Sequence, residues 1–422
     1  MRNLKKLSLI APMLALGCQQ VFGIEDTSTR QDAGADQDAS PPLSLSVLFP
    51  PPESLTDAET ILVRGISDNV NDIAIRADGA LISVNADSLE EWQIRVPLVI
   101  GENTLDVEAN GSVFSTLHVE RAESVADSNI GTGPELADPQ GIVVDPVGNR
   151  ALVALCGADA LVAVDLATGN RTMISGNGRG TGPTFGCAVG LTLDNGGERA
   201  FMADTDVVFV VDLSSGNRAI LSSDGSTGSG PALVAPFDVE MLDDQHVMVP
   251  DDSLGALVRI EVASGNRVIF SDANTGAGPS LVGPRRATLD AAQNRIIVSS
   301  SNGAYIRTVD LGSGNRMELA RSNIGDGIFS DPVGVIIGPA DSGALVAMHS
   351  AAGGVVNLDL SNGNRTEVST RDTGSGPLWK APVDLSLDPT GERVLVIDNG
   401  YSGEDPLVAV DVRTGERVIV SK

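Results

Sequence analysis

Leu161-Val-Ala-Val-Asp165-Leu-Ala-Thr-Gly169-Asn170-Arg171-Thr-Met-Ile174 decides how most of this chain is read, because it keeps returning. Gly-Asn-Arg stands at Gly169, Gly216, Gly265, Gly314 and Gly363, and Gly415-Glu416-Arg417 is a sixth variant; the spacings are 47, 49, 49, 49 and 52 residues. A period of that length is one supersecondary unit, too small to bury its own apolar faces and obliged to stack on its neighbours. The first copy parses as Gly141-Ile-Val-Val-Asp145, a turn at Pro146-Val-Gly-Asn149, Ala151-Leu-Val-Ala-Leu155, then Leu161–Asp165, a Thr168-Gly169 turn and Arg171–Ile174. These are four short β-branched and aliphatic strands, and Gly169 falls where a three-residue hairpin needs a left-handed residue. Six such sheets packed radially cover one another and leave few edges exposed. The expectation is an all-β chain in which residues 122–422 form a six-bladed β-propeller, preceded by a small β-sandwich at 43–121.

An acid and an arginine six residues apart flank the turn in every copy: Asp165/Arg171, Asp212/Arg218, Glu261/Arg267, Asp310/Arg316, Asp359/Arg365 and Asp411/Arg417. Across a hairpin of this loop length they would face each other as cross-strand ion pairs, each worth at most about 1 kcal/mol if exposed. The repeat, in Pro139-Gln-Gly141-Ile-Val-Val-Asp145 and Val164-Asp-Leu-Ala-Thr-Gly169, resembles the broad NHL, YVTN and gluconolactonase-like class of propellers. It has neither the Trp-Asp and Gly-His marks of WD repeats nor the paired glycines of kelch blades. The resemblance implies fold and leaves function open. The segment Glu120–Gly133 matches Asn315–Gly327 with one extra residue. It either ends the sandwich or competes for the outer edge of blade six; the first is expected, since blade six already has four strands.

Ahead of the repeats, Leu43–Phe49, Thr60–Ile66, Trp92–Leu98 and Asn103–Ala109 read as strands, the last two alternating with period two. The run from Trp92 through Pro97, Gly101, Asn103 and Leu105 to Asn110-Gly111 resembles bacterial immunoglobulin-like domains, which implies a spacer or adhesion module; spacer is the reading preferred.

The first eighteen residues read as an export signal. Arg2, Lys5 and Lys6 precede the apolar Leu7–Leu16, which is too short to span a bilayer. Leu14-Ala15-Leu16-Gly17-Cys18 resembles a bacterial lipobox, although Ala15 stands where that pattern prefers Leu. The resemblance implies lipidation of Cys18, and Gln19 after it implies sorting to the outer membrane, periplasmic or surface-exposed. Residues 19–42, small and acidic with no apolar periodicity, read as a disordered tether of about 25–30 Å. With Cys18 acylated, Cys156 and Cys187 remain; they fall on one face of adjacent blades and are expected to form a disulfide.

The composition is 42% hydrophobic and 3% aromatic, and 28 basic against 56 acidic residues give a formal charge of -28. Such a surface repels phosphate backbones and excludes nucleic acid as a partner class. A monomer is expected, touching the membrane only through its lipid and binding a protein or carbohydrate ligand. The copies diverge where they converge on the central channel. The inner strands start with Gly141, Gly190, Asp238, Arg286, Gly334 and Asp384, and the second strands end with Cys156, Asp204, Asp251, Ser300, His349 and Asp398. Asp204, Asp238, Asp251, Asp384 and Asp398 are candidate ligands for a cation such as Ca²⁺; the competing reading has them capping loop amides. Arg286 would hold an anion or pair with a neighbouring Asp, and His349 would sit on the rim. No catalytic triad order, zinc motif or Cys-x-x-Cys is present. The sequence thus points to a binding module, with a metal-dependent lactonase-like hydrolase or lyase as the alternative, and names no catalytic residue.

Overall fold

A computed structural model describes residues 42–83, 89–339, 343–350, 353–400 and 405–422. The export signal, Cys18 and the tether up to residue 41 lie outside the described residues.

Each repeat folds into one antiparallel four-stranded sheet. In the first, Pro139–Asp145 is innermost and pairs with Arg150–Leu155, which pairs with Ala160–Asp165, which pairs with the outermost Arg171–Ser175. The later inner strands are Gly190–Leu193, Glu240–Asp243, Arg286–Asp290, Pro332–Ile337 and Pro382–Leu387. Each packs beside the next, and the sixth returns to the first, closing a six-bladed propeller. Blade six is built wholly from the C-terminal strands, so closure is by contact rather than by strand exchange. At the seam the Ile142 amide donates to Asp384 Oδ2 at 3.1 Å and the Val144 amide to Ser386 Oγ at 3.0 Å. The middle strands carry the core; Ala151–Leu155 and Ala160–Val162 are fully enclosed between neighbouring sheets.

The repeated arginine does not pair with the acid across its hairpin. The register sets Arg171 opposite Val164, one position away from Asp165, and the same offset recurs in the other blades. A one-residue shift sends the two side chains to different places. The acid folds back on the turn: Asp165 accepts from the amides of Ala167 and Thr168, and Asp310 from the amide and hydroxyl of Ser313. Hydrogen bonds from Ser215 and Ser214 hold the Asp212 carboxyl down at about 2. The arginine reaches the preceding blade. Arg316 donates to the Pro279 carbonyl at 2.7 Å, to Ser271 Oγ at 2.7 Å and to the Thr275 carbonyl at 2.8 Å. Ser271 Oγ in turn donates to the carbonyl of Gly314, in the same Gly-Asn-Arg turn, at 2.8 Å.

This staple repeats at Ser175, Ser222, Ser369 and Ser421, and the last joins the ring's ends: Ser421 Oγ donates to the Gly169 carbonyl and Arg171 to Ser421 Oγ. Between blades four and five Ala320 stands in the serine's place, and Arg365 takes the Gly363 carbonyl itself. The Gly-x-Gly loops exist to let this happen. A Cβ on Gly131 or Gly133 would stand 2.0 Å from the Gly169 carbonyl oxygen or 2.1 Å from that of Arg171. The true ion pairs lie elsewhere, five residues apart across the inner hairpins: Asp145–Arg150, Asp194–Arg199, Asp290–Arg295 and Asp388–Arg393, at 2.8–2.9 Å.

The sandwich has strands β1 Ser44–Phe49, β2 Glu53–Thr56, β3 Thr60–Asp68, β4 Ile73–Ala77, β5 Ala80–Ser83, β6 Glu91–Pro97, β7 Gly101–Ala109 and β8 Ser112–Arg121. One sheet runs β1-β3-β6. The other runs β2-β8-β7-β4-β5 and continues into blade six, where Leu55 of β2 pairs with Ile419. Of the segment Glu120–Gly133 only Glu120 and Arg121 end the sandwich, in β8; further along, the Ile130 carbonyl accepts the Lys422 amide at 3.1 Å beside blade six, whose outer edge β2 takes. Trp92, Ile94 and Val96 of β6 face Leu105 and Val107 of β7 in one core, as their alternation requires. The sandwich is not a free spacer. Arg64, 4% exposed, bonds Asp411 at 2.7 Å and Glu392 at 2.8 Å, and Arg95 bonds Glu416 at 2.7 Å.

A double-mutant cycle separates the two roles of the repeated arginine. By urea denaturation, Arg316→Met with Ser271→Ala should couple by about 1–2 kcal/mol, whereas Arg316→Met with Asp310→Asn should couple by under about 0.5 kcal/mol. The reverse order would restore the hairpin ion pair.

Candidate functional site

Six inner strands approach the axis, and the residues they bring there divide into spacers and charges. At Gly141, Gly190 and Gly334 a Cβ would press into the next blade, 2.6 Å from the Val189 carbonyl oxygen, 2.4 Å from Asp238 and 2.8 Å from Leu385 respectively. Closely approached backbones leave room on the axis for one long side chain, and Arg286 fills it. It is 3% exposed and reaches four other blades: the carbonyls of Gln140, of Val189 at 3.1 Å and of Phe237 at 2.6 Å, and the carboxylate of Asp384 at 3.4 Å. Asp238 and Asp384 flank it while accepting the Ala287 and Ile142 amides at 3.1 Å. Of the two readings of Arg286, pairing with a neighbouring Asp is the one realised.

This cluster plugs the channel. Burial pushes the Asp238 carboxyl up to about 7, against the pull of Arg286 and with the repulsion of Asp384 adding to it; burial likewise raises Asp384. Glu240 lies below the plug, half-buried beside a cavity of about 360 Å³; the protein packed around it pushes its carboxyl up to about 8. Its Oε1 accepts the Leu289 amide at 2.8 Å.

The five carboxylates proposed as cation ligands do not converge. Asp204, Asp251 and Asp398 turn back at the ends of their strands and cap the loop leading into their own blade. Asp204 takes the Gly186 and Cys187 amides, Asp251 those of Val234, Ala235 and Leu254, and Asp398 those of Lys380 and Ala381. Asp238 and Asp384 are engaged with Arg286. Among the described residues no three His, Cys, Asp or Glu side chains are grouped to hold a metal ion. Ser300 plays the same capping part, donating to the Val282 carbonyl at 2.7 Å and accepting the Gly303 amide.

Above the plug a cavity of about 420 Å³ opens at the mouth of the channel. Arg286 and His349, both read in the sequence, line it, and most of the other walls come from positions one residue removed from those read. Gln140, Phe237, Arg285, Val333 and Val383 lie one residue before Gly141, Asp238, Arg286, Gly334 and Asp384, and Ser301 and Asn399 each follow a second-strand end. His349 places Nδ1 3.3 Å from the Pro382 carbonyl oxygen. Side chains alternate along an extended chain, so a frame shifted by one residue selects the caps and misses most of the lining. The signal was present, since these neighbours also vary from blade to blade (Gln, Val, Phe, Arg, Val, Val). Asp138 braces the rim, its Oδ1 accepting from Gln140 Nε2 and Asn399 Nδ2, both at 2.6 Å.

Cys156 and Cys187 form the expected disulfide, joining the second strand of blade one to the loop entering blade two across 31 residues.

No protein family matches the chain, and no curated protein is similar to it in sequence. Solved structures are similar in shape. A structural-genomics protein of unknown function from Bacteroides thetaiotaomicron shares 15% identity at a TM-score of 0.49, over 90% of this chain and 98% of that one. An auxiliary nutrient binding protein from the same organism shares 12% at 0.48, over 89% and 96%. A gluconolactonase from Xanthomonas campestris shares 13% at 0.47, over 65% and 92%. At these values none of them bears on the ligand or chemistry of this chain, which rest on its own side chains.

Two outcomes are expected. Asp238 and Glu240 have folded values above the unfolded ones, so their contribution to stability is full below about pH 4 and declines as pH rises through about 7 to 8. Glu240→Gln keeps an acceptor for Leu289 and should flatten part of that decline. Unfolding free energies from urea denaturation should be nearly equal at pH 4 and higher in the variant at pH 9, by on the order of 1 kcal/mol. Separately, Cys156→Ser with Cys187→Ser should lower stability by about 3–4 kcal/mol in the chain-entropy view, and neither thiol should react in denatured, unreduced protein.

Proposed function

We propose that this chain is a non-enzymatic, extracytoplasmic binding module that holds its ligand at the mouth of the propeller channel. The observation carrying the reading is the roughly 420 Å³ cavity, lined from five of the six blades at positions where the repeats differ. Its volume falls at the small end of the range for ligand sites, about 300–1,000 Å³. The repeated side chains, in contrast, are consumed by staples and caps. The metal-dependent hydrolase reading needs converging carboxylates, and the capping of Asp204, Asp251 and Asp398 argues against it.

In this proposal the sandwich, immunoglobulin-like in its alternation and turn residues, braces blade six, and a lipid on Cys18 anchors the chain at a bacterial outer membrane. Labelled palmitate should enter the full-length protein expressed in a Gram-negative host, and Cys18→Ala should abolish both labelling and membrane recovery. Val383 lines the mouth but is only 6% exposed, so Val383→Trp should crowd the mouth and is compared once its unliganded circular dichroism matches that of the parent. In a thermal-shift screen of monosaccharides, disaccharides and amino acids, ligands that raise the melting temperature of the parent should fail to raise that of Val383→Trp. Ligands acting equally on both proteins would remove the channel mouth as the site.

A further inference from the structure

We propose that the channel mouth recognises a small hydroxy acid, its carboxylate held by Arg285, its hydroxyls by Gln140 and Asn399, and its body against Phe237, Val333 and Val383. The inference rests on the reading of the mouth as the ligand site and names the class of ligand.

Arg285 and Arg286 are adjacent in sequence and have opposite fates. Arg286 spends its Nη donors on three carbonyls and holds the Asp384 carboxylate 3.4 Å from Nε, although Nε makes no hydrogen bond among the described residues; the repeated arginines are likewise engaged, Arg417 for one with Pro377, Ser369, Thr370 and Thr373. Arg285 has a single polar partner, Asp252, 3.3 Å from Nη2, and its buried Nε has none among the described residues. A guanidinium carries five donors in a fixed fork suited to a carboxylate. It is also held ready, lying 4.0 Å over the Phe237 ring, which fixes its plane before any ligand arrives. Burial and the neighbouring Arg286 charge both weigh against the charged form of Arg285, and Asp252 offsets them only in part. A bound anion supplies the opposite charge that offsets them.

The rim supplies the rest of the specificity. Asp138 Oδ1 draws one amide hydrogen each from Gln140 and Asn399, which orients the two amides and leaves their oxygens as acceptors for ligand hydroxyls. Asp138 and Asp252 together also set the charge of the guest. A monoanion meets one underused guanidinium, whereas a phosphate dianion would meet two carboxylates beside it. The chain's formal charge of -28 repels larger polyanions at the approach, while a small acid inside the mouth lies within a Debye length, about 8 Å, of Arg285.

Isothermal titration of the folded chain with D-glucuronate, D-glucose and inorganic phosphate tests the proposal. Glucuronate should bind at least about tenfold more tightly than either of the other two, a difference of about 1.4 kcal/mol. Arg285→Gln should reduce the preference over glucose to under about twofold, and Arg285→Lys should retain part of it. Unliganded melting temperatures of both variants should stay near that of the parent; if Arg285→Gln fails to fold, the Lys variant carries the comparison. Equal binding of glucuronate and glucose, phosphate binding tightest, a preference untouched by Arg285→Gln, or no glucuronate binding up to about 10 mM would each overturn it. Loss of a neutral ligand in Val383→Trp, with no effect of Arg285 variants, would leave the channel-mouth reading standing and remove only the acid.

Discussion

The structure depends on the link from each Gly-Asn-Arg turn to the blade before it. A four-stranded sheet has an apolar face to cover on each side, and hydrophobic burial alone would allow neighbours to slide, since it has no direction. The arginine removes that freedom. Its guanidinium can be satisfied only where the loop carbonyls and the serine hydroxyl of the neighbouring blade are presented together, as they are for Arg267 at Pro231, Ser222, Ser223 and Thr227. The glycines on both sides are the steric condition for that approach. The last link, Ser421 with Gly169 and Arg171, is made by residues 252 and 250 positions apart, so the ring is fastened between its ends by the same bonds that fasten adjacent blades.

Closing the ring brings six inner strands together, and the axis then has to be filled. Three glycines let the backbones approach, and one arginine with two aspartates occupies what is left. Buried charges of this kind contribute little net stability against an apolar filling, but removing one partner strands the others. The cluster's effect on function is geometric: it blocks the channel and makes its mouth a closed-ended cavity. The sandwich acts on the same ring from outside, covering with β2 the edge of blade six that would otherwise be open and tying its hairpin through Arg64 and Arg95.

Much of the fold is legible in the chain. The period of the turn motif, four β-rich segments per period and a glycine at each hairpin are local properties, and local properties specify strands, turns and blade number. The disulfide was within reach too, because blade topology alone places Cys156 and Cys187 on one face. Of the candidate site, Arg286 and His349 were legible outright and the remaining walls only to within one residue. Asp204, Asp251 and Asp398 stand out as charges at strand ends, but a carboxylate there gains more from nearby loop amides than from an axis that would have to desolvate it. Their neighbours Ser301 and Asn399, and Phe237 and Arg285 before the inner strands, drew no attention because nothing in the sequence marks which side of a strand end faces the axis.

The sequence by itself determined that this is a repeated β chain whose turns demand glycine and whose copies diverge near the strand ends, because backbone conformation and side-chain periodicity act over a few residues. Only the tertiary structure decided what the repeated charges do. Hairpin register turns the repeated acid into a turn cap and the repeated arginine into a bond between blades; ring diameter commits Arg286 to the axis; and the packing of Phe237 leaves Arg285 poised at the mouth with one partner. Each of these depends on a distance between residues tens to hundreds of positions apart, which a linear pattern does not contain.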